Sequence, residues 1–261
     1  MRLLKVILLA LIFAAPAAAR LSPAQLAEAG AHPPPDATLP AKLAFTDQRN
    51  ERVTLGQIAN GKPLVLLFVD YTCKHICGPG LTLSAKALAD SGLTIGRDYN
   101  FVLVGMDPRD GLDQARMMQH MRLSALPRME RASWFLVGDK ADVAAATRAL
   151  GYGYVYDPST DQFAHDASLY VFAADGHVAS VLPELALTPD MARAAIRNSG
   201  SARPKPNILV QAARLCYGFA AAHGVYGKPI AVALQAMGIL LIGAFAAWFG
   251  FVRWRSRKAA R

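Results

Sequence analysis

Residues 64–78 read LVLLFVDYTCKHICG, and this stretch decides the fold. Its first six residues form an apolar run without helical periodicity, which predicts a strand buried on both faces. Two cysteines, Cys73 and Cys77, follow this strand, and the next segment, residues 81–89, is helix-prone. The pair therefore lies in a loop between the carboxyl end of a strand and a helix, where open α/β sheets place their chemistry.

The position of the two thiols predicts reactive rather than structural cysteines. The amino end of a helix and the cation of Lys74 both favour the thiolate form, so we expect lowered thiol pKa values. Such thiols are either redox-active or metal ligands. A buried disulfide or two inert core cysteines is the alternative, but a polar loop is a poor place for core packing.

Strands and helices alternate along the rest of the chain. A hairpin is predicted over residues 43–55, and Asp175-Gly176 predicts a second hairpin between the last two strands. Further strands are predicted over residues 101–106, 133–137, 152–156, 168–172 and 177–182, and helices over residues 112–121, 141–150 and 191–197. This order predicts the α/β class, with a mixed sheet covered on both faces in a thioredoxin-like arrangement.

Both ends of the chain carry targeting signals. Residues 1–19 combine Arg2 and Lys5 with an apolar run and a small-residue end, which predicts a secretory signal peptide. Residues 229–252 are apolar except for one glutamine and predict a transmembrane helix. The basic residues 253–261 follow it, and the positive-inside rule places them in the cytoplasm. We therefore expect a single-pass inner-membrane protein with its main domain in the periplasm.

The net charge of +9 comes mostly from these two signals, which leave about +2 for the chain between them. The basic balance therefore sets orientation in the membrane and excludes nucleic acid as a partner. The predicted plan is a signal peptide (1–19), a flexible Pro- and Ala-rich lead-in (20–40), a thioredoxin-like domain (41–200), a juxtamembrane segment (201–228), a transmembrane helix (229–252) and a cytoplasmic tail (253–261).

A distant histidine favours the metal alternative for the thiols. His165 precedes the predicted strand 168–172, and in a thioredoxin-like sheet that loop lies beside the cysteine loop. Two thiolates and an imidazole form a soft three-coordinate set, which suits Cu(I) and, through the imidazole, also Cu(II). The alternative for a single histidine is an ordinary hydrogen-bonded residue, and dithiol exchange needs only Cys73 and Cys77.

Three separated motifs resemble the SCO/SenC family of thioredoxin-like copper-handling proteins. They are Tyr71-Thr72-Cys73-Lys74-His75-Ile76-Cys77, Met106-Asp107-Pro108-Arg109-Asp110 and Phe163-Ala164-His165. The resemblance covers roughly residues 40–197 and implies Cys73, Cys77 and His165 as copper ligands. Residues 156–165 and 215–218 also resemble a subgroup with a C-terminal membrane span.

The resemblance implies a copper chaperone that loads the binuclear copper site, CuA, of cytochrome c oxidase subunit II. An upstream copper donor and a thiol reductant would be its other partners. A thiol–disulfide reductase that uses Cys73 and Cys77 as a redox dithiol is the alternative function. A peroxidase of the peroxiredoxin type fits less well, because its Thr-x-x-Cys spacing is absent.

The chain departs from the family pattern around the cysteines. Lys74 and Gly78 stand where prolines are usual, and His75 stands where an acidic residue is common. His75 either adds a fourth ligand, which favours Cu(II) or tetrahedral zinc, or points to solvent. Cys216 and His223 lie near the predicted membrane surface, where we expect a small buried residue and an interfacial polar residue.

Overall fold

The computed structural model describes residues 21–73, 77–158, 161–200, 236–243, 245, 248 and 249. The chain divides into two compact units, residues 1–222 and 223–261. In the second unit residues 236–243 are helical, and among the described residues no helix is both long and apolar enough to cross a bilayer. The predicted signal peptide, juxtamembrane segment and tail lie outside the described residues, as do His75, Cys216, His223 and most of the predicted span.

Strands and helices alternate through the first unit, as predicted. The strands are β1 (Gly30–Ala31), β2 (Ala44–Asp47), β3 (Arg52–Thr54), β4 (Leu64–Val69), β5 (Asn100–Gly105), β6 (Trp134–Val137), β7 (Tyr152–Asp157), β8 (Gln162–His165), β9 (Ser168–Phe172) and β10 (Val178–Pro183). The helices are α1 (Pro23–Glu28), α2 (Leu55–Ala59), α3 (Cys77–Ala89), α4 (Leu112–Leu123), α5 (Pro127–Ala132), α6 (Lys140–Ala149) and α7 (Pro189–Arg197).

The main sheet has seven strands in the order β10-β9-β4-β5-β6-β2-β3. Strands β4, β5 and β6 are parallel, and the other pairs are antiparallel, so the sheet is mixed as predicted. The two predicted hairpins are present as β2–β3 at one edge and β9–β10 at the other. A second, antiparallel sheet has the order β1-β7-β8.

The central strand β4 divides the core in two. Val65, Leu67 and Val69 pack on one face, in a cluster that includes residues of α3, α4 and α7. Leu66 and Phe68 pack on the other face, with residues of α2, α6 and the small sheet. Since alternate side chains of a strand point to opposite faces, a strand covered on both sides has to be apolar throughout.

Residues 21–40 are not the unstructured lead-in that the sequence predicted. Strand β1 pairs with β7, and the backbone N–H groups of His32 and Leu39 donate to the carbonyls of Gly151 and Gly176, both at 2.8 Å. The prediction was wrong because the partners that order this segment lie more than a hundred residues away. Prolines near its centre indicate an extended chain but do not reveal such partners.

Candidate metal centre

The cysteine loop leaves β4 through a turn held by two carboxylates. Asp70 accepts hydrogen bonds from the backbone N–H and the hydroxyl of Thr72, at 2.9 and 3.0 Å. Asp110 accepts one from the backbone N–H of Tyr71 at 2.9 Å. The N–H of Cys73 donates to the carbonyl of Asp70 at 3.2 Å. Asp110 belongs to the motif of residues 106–110, which follows β5. This motif therefore fixes the start of the loop that carries the first cysteine.

The aromatic ring beside Cys73 anchors the same loop to the sheet. Tyr71 is buried, and its hydroxyl donates to the carbonyl of Leu136 at 2.9 Å. A side chain at Gly105 would collide with this ring, because a Cβ there would lie 2.7 Å from it. Glycine at the end of β5 therefore leaves the space that the tyrosine fills.

The two cysteines occupy different environments. Neither cysteine forms a disulfide, and Cys73 is partly exposed whereas Cys77 is buried. Cys77 is the first residue of α3 rather than a loop residue, which corrects the predicted placement. A hydrogen bond with Cys73, burial, and the charges of Cys73 and Glu184 raise the pKa of Cys77. The predicted lowering is therefore wrong for this thiol, since these effects outweigh the helix dipole.

His165 and Cys77 are in direct contact. The Sγ of Cys77 lies 3.3 Å from Nε2 of His165, and both residues are buried. His165 precedes β9, as predicted, but it is itself the last residue of a separate strand, β8, where it pairs with Tyr154. The structure therefore brings together two predicted site residues that are far apart along the chain.

The other ring nitrogen of His165 is fixed by two oxygens. Nδ1 lies 2.8 Å from the hydroxyl of Tyr152 and 3.0 Å from the carbonyl of Asp166. Tyr152 donates its own proton to that carbonyl at 2.7 Å. Since a carbonyl only accepts, Nδ1 can hydrogen bond to it only when Nδ1 carries the ring proton, and in that tautomer the lone pair of Nε2 faces the thiol. This is the tautomer that a metal-binding histidine needs.

Strand β1 supports the residues that hold His165. Ala31 pairs with Tyr152, and its backbone N–H donates to a carboxylate oxygen of Asp166 at 3.2 Å. The other carboxylate oxygen accepts from the hydroxyl of Ser168 at 2.6 Å. The segment predicted to be unstructured is therefore part of the scaffold of the site.

Glu184 brings a buried carboxyl group to the same region. Its backbone N–H donates to the carbonyl of Ala167 at 2.8 Å, and its carbonyl accepts from the hydroxyl of Ser84 at 3.2 Å. Its Oε1 has no hydrogen-bond partner among the described residues. Burial, followed by the charges of Cys73 and Asp166, raises the pKa of Glu184 to about 8.

The donors that meet here fit a soft metal ion. In the described part of the chain, no three or more His, Cys, Asp or Glu side chains already form a group that could hold a metal. Cys77 and His165 are nevertheless in contact, and the thiol of Cys73 hydrogen bonds to that of Cys77. A metal ion would therefore find two sulfurs and an imidazole lone pair at one end of the sheet, once Cys73 closes on it.

Comparison with known proteins gives a clear family assignment. The sequence model of the SCO1/SenC family matches residues 32–199, more than half of the chain. The chain belongs to the SCO1/SenC family. No curated protein matches it. The matched range includes Cys73, Cys77 and His165, together with Tyr152, Asp166 and Glu184.

Solved structures share the SCO1/SenC fold of this chain. Copper-bound ScoI of Bradyrhizobium japonicum is 24% identical with a TM-score of 0.50, covering 60% of this chain and 96% of that one. A putative electron transfer protein of Aquifex aeolicus VF5 is 16% identical with a TM-score of 0.54 over 65% and 98%. BsSco, a member of the Sco family of cytochrome c oxidase assembly proteins, is 21% identical with a TM-score of 0.50 over 66% and 98%. These matches confirm the thioredoxin-like fold.

Three residues of the site were missed in the sequence. Tyr152 and Asp166 have no local pattern that marks them as partners of His165, because their role depends on how β7 and β8 pair. Glu184 has a weak signal, since it is a single acid within the apolar residues 181–187. An acid in such a run is unusual and indicates a buried polar group.

Proposed function

We propose that this chain is an exported, membrane-tethered copper chaperone that supplies a respiratory oxidase. Copper, as Cu(I) or Cu(II), is its cargo, and Cys73, Cys77 and His165 are its ligands. The CuA site of cytochrome c oxidase subunit II is the proposed recipient. The contact of 3.3 Å between Cys77 and His165 is the observation that carries the proposal, because it joins a thiol to an imidazole whose free nitrogen faces it.

The similar proteins support the choice of metal and of pathway. The Bradyrhizobium japonicum ScoI structure has copper bound, and BsSco belongs to a family of oxidase assembly proteins. Two thiolates are soft ligands that favour Cu(I), and imidazole also suits Cu(II), whereas structural zinc sites usually take four protein ligands. The donor set of this chain therefore agrees with the copper chemistry of those relatives.

The different exposure of the two thiols suggests how copper would leave. The buried Cys77 and His165 form the inner part of the site, and the partly exposed Cys73 forms its outer part. A ligand of the acceptor protein would replace Cys73 first, and the inner pair would release the metal afterwards. Metal binding deprotonates the thiols, so copper entry releases protons and copper exit takes them up.

The same exposure pattern supports thiol–disulfide exchange as a second candidate function. An exposed thiolate can attack a target disulfide, and a buried neighbour can resolve the mixed disulfide. Both cysteines are reduced here and hydrogen bond to each other. This reaction needs Cys73 and Cys77 but not His165, so the histidine separates the two functions.

Replacing His165 with alanine tests the proposal. We expect His165→Ala to weaken Cu(II) binding by more than the roughly 10- to 100-fold typical of residues that only hydrogen bond to a ligand. The variant should fail to support oxidase assembly but still reduce a small disulfide substrate. Copper affinity is measured by competition with a chelator, and disulfide reduction by thiol release.

His177→Ala is the matched control, since the imidazole of this exposed histidine lies 3.4 Å from a carboxylate oxygen of Asp175 and is not among the proposed ligands. It should leave copper binding and oxidase assembly unchanged. If His165→Ala keeps the copper affinity and the spectrum of the wild type, the ligand assignment is wrong. His75 would then be the next candidate, and the reductase function would be favoured.

A further inference from the structure

Glu184 is a buried acid that the proposed ligand set does not use. The residue is 2% exposed, and its Oε1 has no hydrogen-bond partner among the described residues. Burying a carboxyl oxygen without a donor costs on the order of 1–3 kcal/mol, and more if the group is charged. A buried group without a partner requires an explanation, and a bound ion that satisfies it is one such explanation.

The carboxyl lies against the turn of α3 that carries Cys77. Cys77 and Gly80 are three residues apart and share one face of the helix. A Cβ at Gly80 would collide with Oε1 of Glu184. On the other side, the backbone of Glu184 is tied to Ala167, two residues after His165. The carboxyl therefore lies between the helix that bears the thiol and the loop that follows the histidine.

We propose that Glu184 is an additional anionic donor of this site and makes it favour Cu(II) over Cu(I). This inference rests on the proposed function, because it concerns the same metal and the same pocket. It adds a residue that determines which oxidation state of copper the protein holds.

The charge balance of the site supports this preference. Two thiolates, a neutral imidazole and Cu(I) carry a net charge of −1. An ionised Glu184 would make this −2 in a buried pocket, where charge is poorly screened. With Cu(II) the same four groups return to −1. A carboxylate oxygen is also a harder donor than sulfur, and hard donors suit the higher oxidation state.

The neighbouring acid, Asp166, provides a contrast. Its two carboxylate oxygens accept hydrogen bonds from the backbone N–H of Ala31 and from the hydroxyl of Ser168. They hold the scaffold of the site together. Oε1 of Glu184 has no such role among the described residues.

Two variants test the proposal in different ways. Glu184→Gln keeps the shape of the side chain but cannot ionise when the metal binds, whereas Gly80→Ala keeps the carboxyl and pushes it away. We expect both to weaken Cu(II) binding by more than the roughly 10- to 100-fold typical of residues that only hydrogen bond to a ligand, while Cu(I) affinity stays within about threefold. Affinities are measured anaerobically by chelator competition on the full reduced protein, with a thiol titration to confirm that both cysteines remain reduced. The electron paramagnetic resonance spectrum of bound Cu(II) should also change in both variants.

Asp166→Asn is the matched control, since it removes one charge beside the same histidine. It should change the ratio of Cu(II) to Cu(I) affinity by much less than Glu184→Gln. An unchanged ratio and spectrum in Glu184→Gln would overturn the proposal, and so would an equal change of the Cu(II)-to-Cu(I) affinity ratio in Asp166→Asn. If Glu184→Gln binds like the wild type while His165→Ala loses copper, this inference alone fails. If the wild type itself binds no copper, the proposed function fails with it.

Discussion

Buried carboxyl groups fix the backbone at the start of the cysteine loop. Asp110 holds the backbone of Tyr71, and Asp70 and Asp107 are close enough for their charges to act on it. Burial, followed by the charges of those two residues, raises the pKa of Asp110 from 3.8 to about 6. Folding therefore places this carboxyl where its ionised form is less stable than in the unfolded chain.

This shift predicts a pH dependence of stability. The folded protein binds the Asp110 proton more tightly than the unfolded chain, so stability falls as pH rises from about 4 to 6 and then levels off. The side-chain amide of the Asp110→Asn variant would still accept from Tyr71 but would not ionise. The stability of this variant relative to the wild type should therefore grow by about 1–3 kcal/mol between pH 4 and pH 7, measured by chemical unfolding.

Asp113→Asn is the control for this measurement, because that carboxylate is solvent-exposed on α4. Its stability relative to the wild type should change little over the same pH range. A stability difference for Asp110→Asn that stays flat, or that falls with pH, would show that the carboxyl is not held in an unfavourable environment.

Among single residues, the sequence identified those with distinctive chemistry, but it did not identify the residues that hold them in place. Cys73, Cys77 and His165 could be singled out because sulfur and imidazole have few roles in such positions. Tyr152 and Asp166 could not, because an ordinary tyrosine and aspartate acquire their role only when β7 and β8 place them beside His165.

Strand β1 shows that a very short element can support a site. It consists of two residues, Gly30 and Ala31, yet it pairs with one edge of β7, and its Ala31 N–H donates a hydrogen bond to Asp166. Its docking depends on a glycine, since a Cβ at Gly153 would collide with the carbonyl oxygen of Glu28. The elements before β2 are therefore coupled to the histidine side of the metal centre.

Gly153→Ala should break this coupling. The added methyl group forces the backbone near Glu28 away from β7, and we expect a loss of about 1–3 kcal/mol in the free energy of unfolding. Copper affinity should fall about tenfold as Tyr152 and Asp166 lose their support. Chemical unfolding and chelator competition measure the two effects.

Gly200→Ala serves as its control, because a Cβ at Gly200 would meet no atom within 4 Å among the described residues. That variant should match the wild type in both measurements. If Gly153→Ala unfolds like the wild type, the pairing of β1 with β7 does not contribute to the stability of the domain.

Elements with a strong local signal were predictable, and those fixed by distant partners were not. Strands β4 and β5 and the hairpin at Asp175-Gly176 were found because six apolar residues or a turn pair are local signals. Helices α2 and α5 have only five and six residues, too few to show a helical period. Strand β8 follows a turn, and it forms because its backbone pairs with the edge of β7.

For the whole molecule, the charge distribution predicts an orientation. The basic residues after position 252 carry no compensating acid, and those near the N-terminus precede an apolar run. We propose on this basis that the domain is exported and that the C-terminus stays inside.

Reporter fusions test this orientation. A reporter that is active only in the cytoplasm should give signal when it is fused after Arg261. The same reporter fused after Gly200 should give none, because that junction would lie on the outer side of the membrane. Signal from the Gly200 fusion together with silence from the Arg261 fusion would contradict the proposed topology.

The position of β4 in the sheet also determines how long this strand lacks one of its partner strands during synthesis. Its neighbour β5 follows within a few dozen residues, but its other neighbour, β9, pairs Phe172 with Leu64 and is synthesised roughly a hundred residues later. At about 5–20 residues per second, the ribosome needs on the order of ten seconds to deliver that partner. During this interval the six-residue strand LVLLFV has one open edge, and such strands readily pair with other chains. The nascent chain therefore has to be kept apart from its neighbours until β9 has emerged.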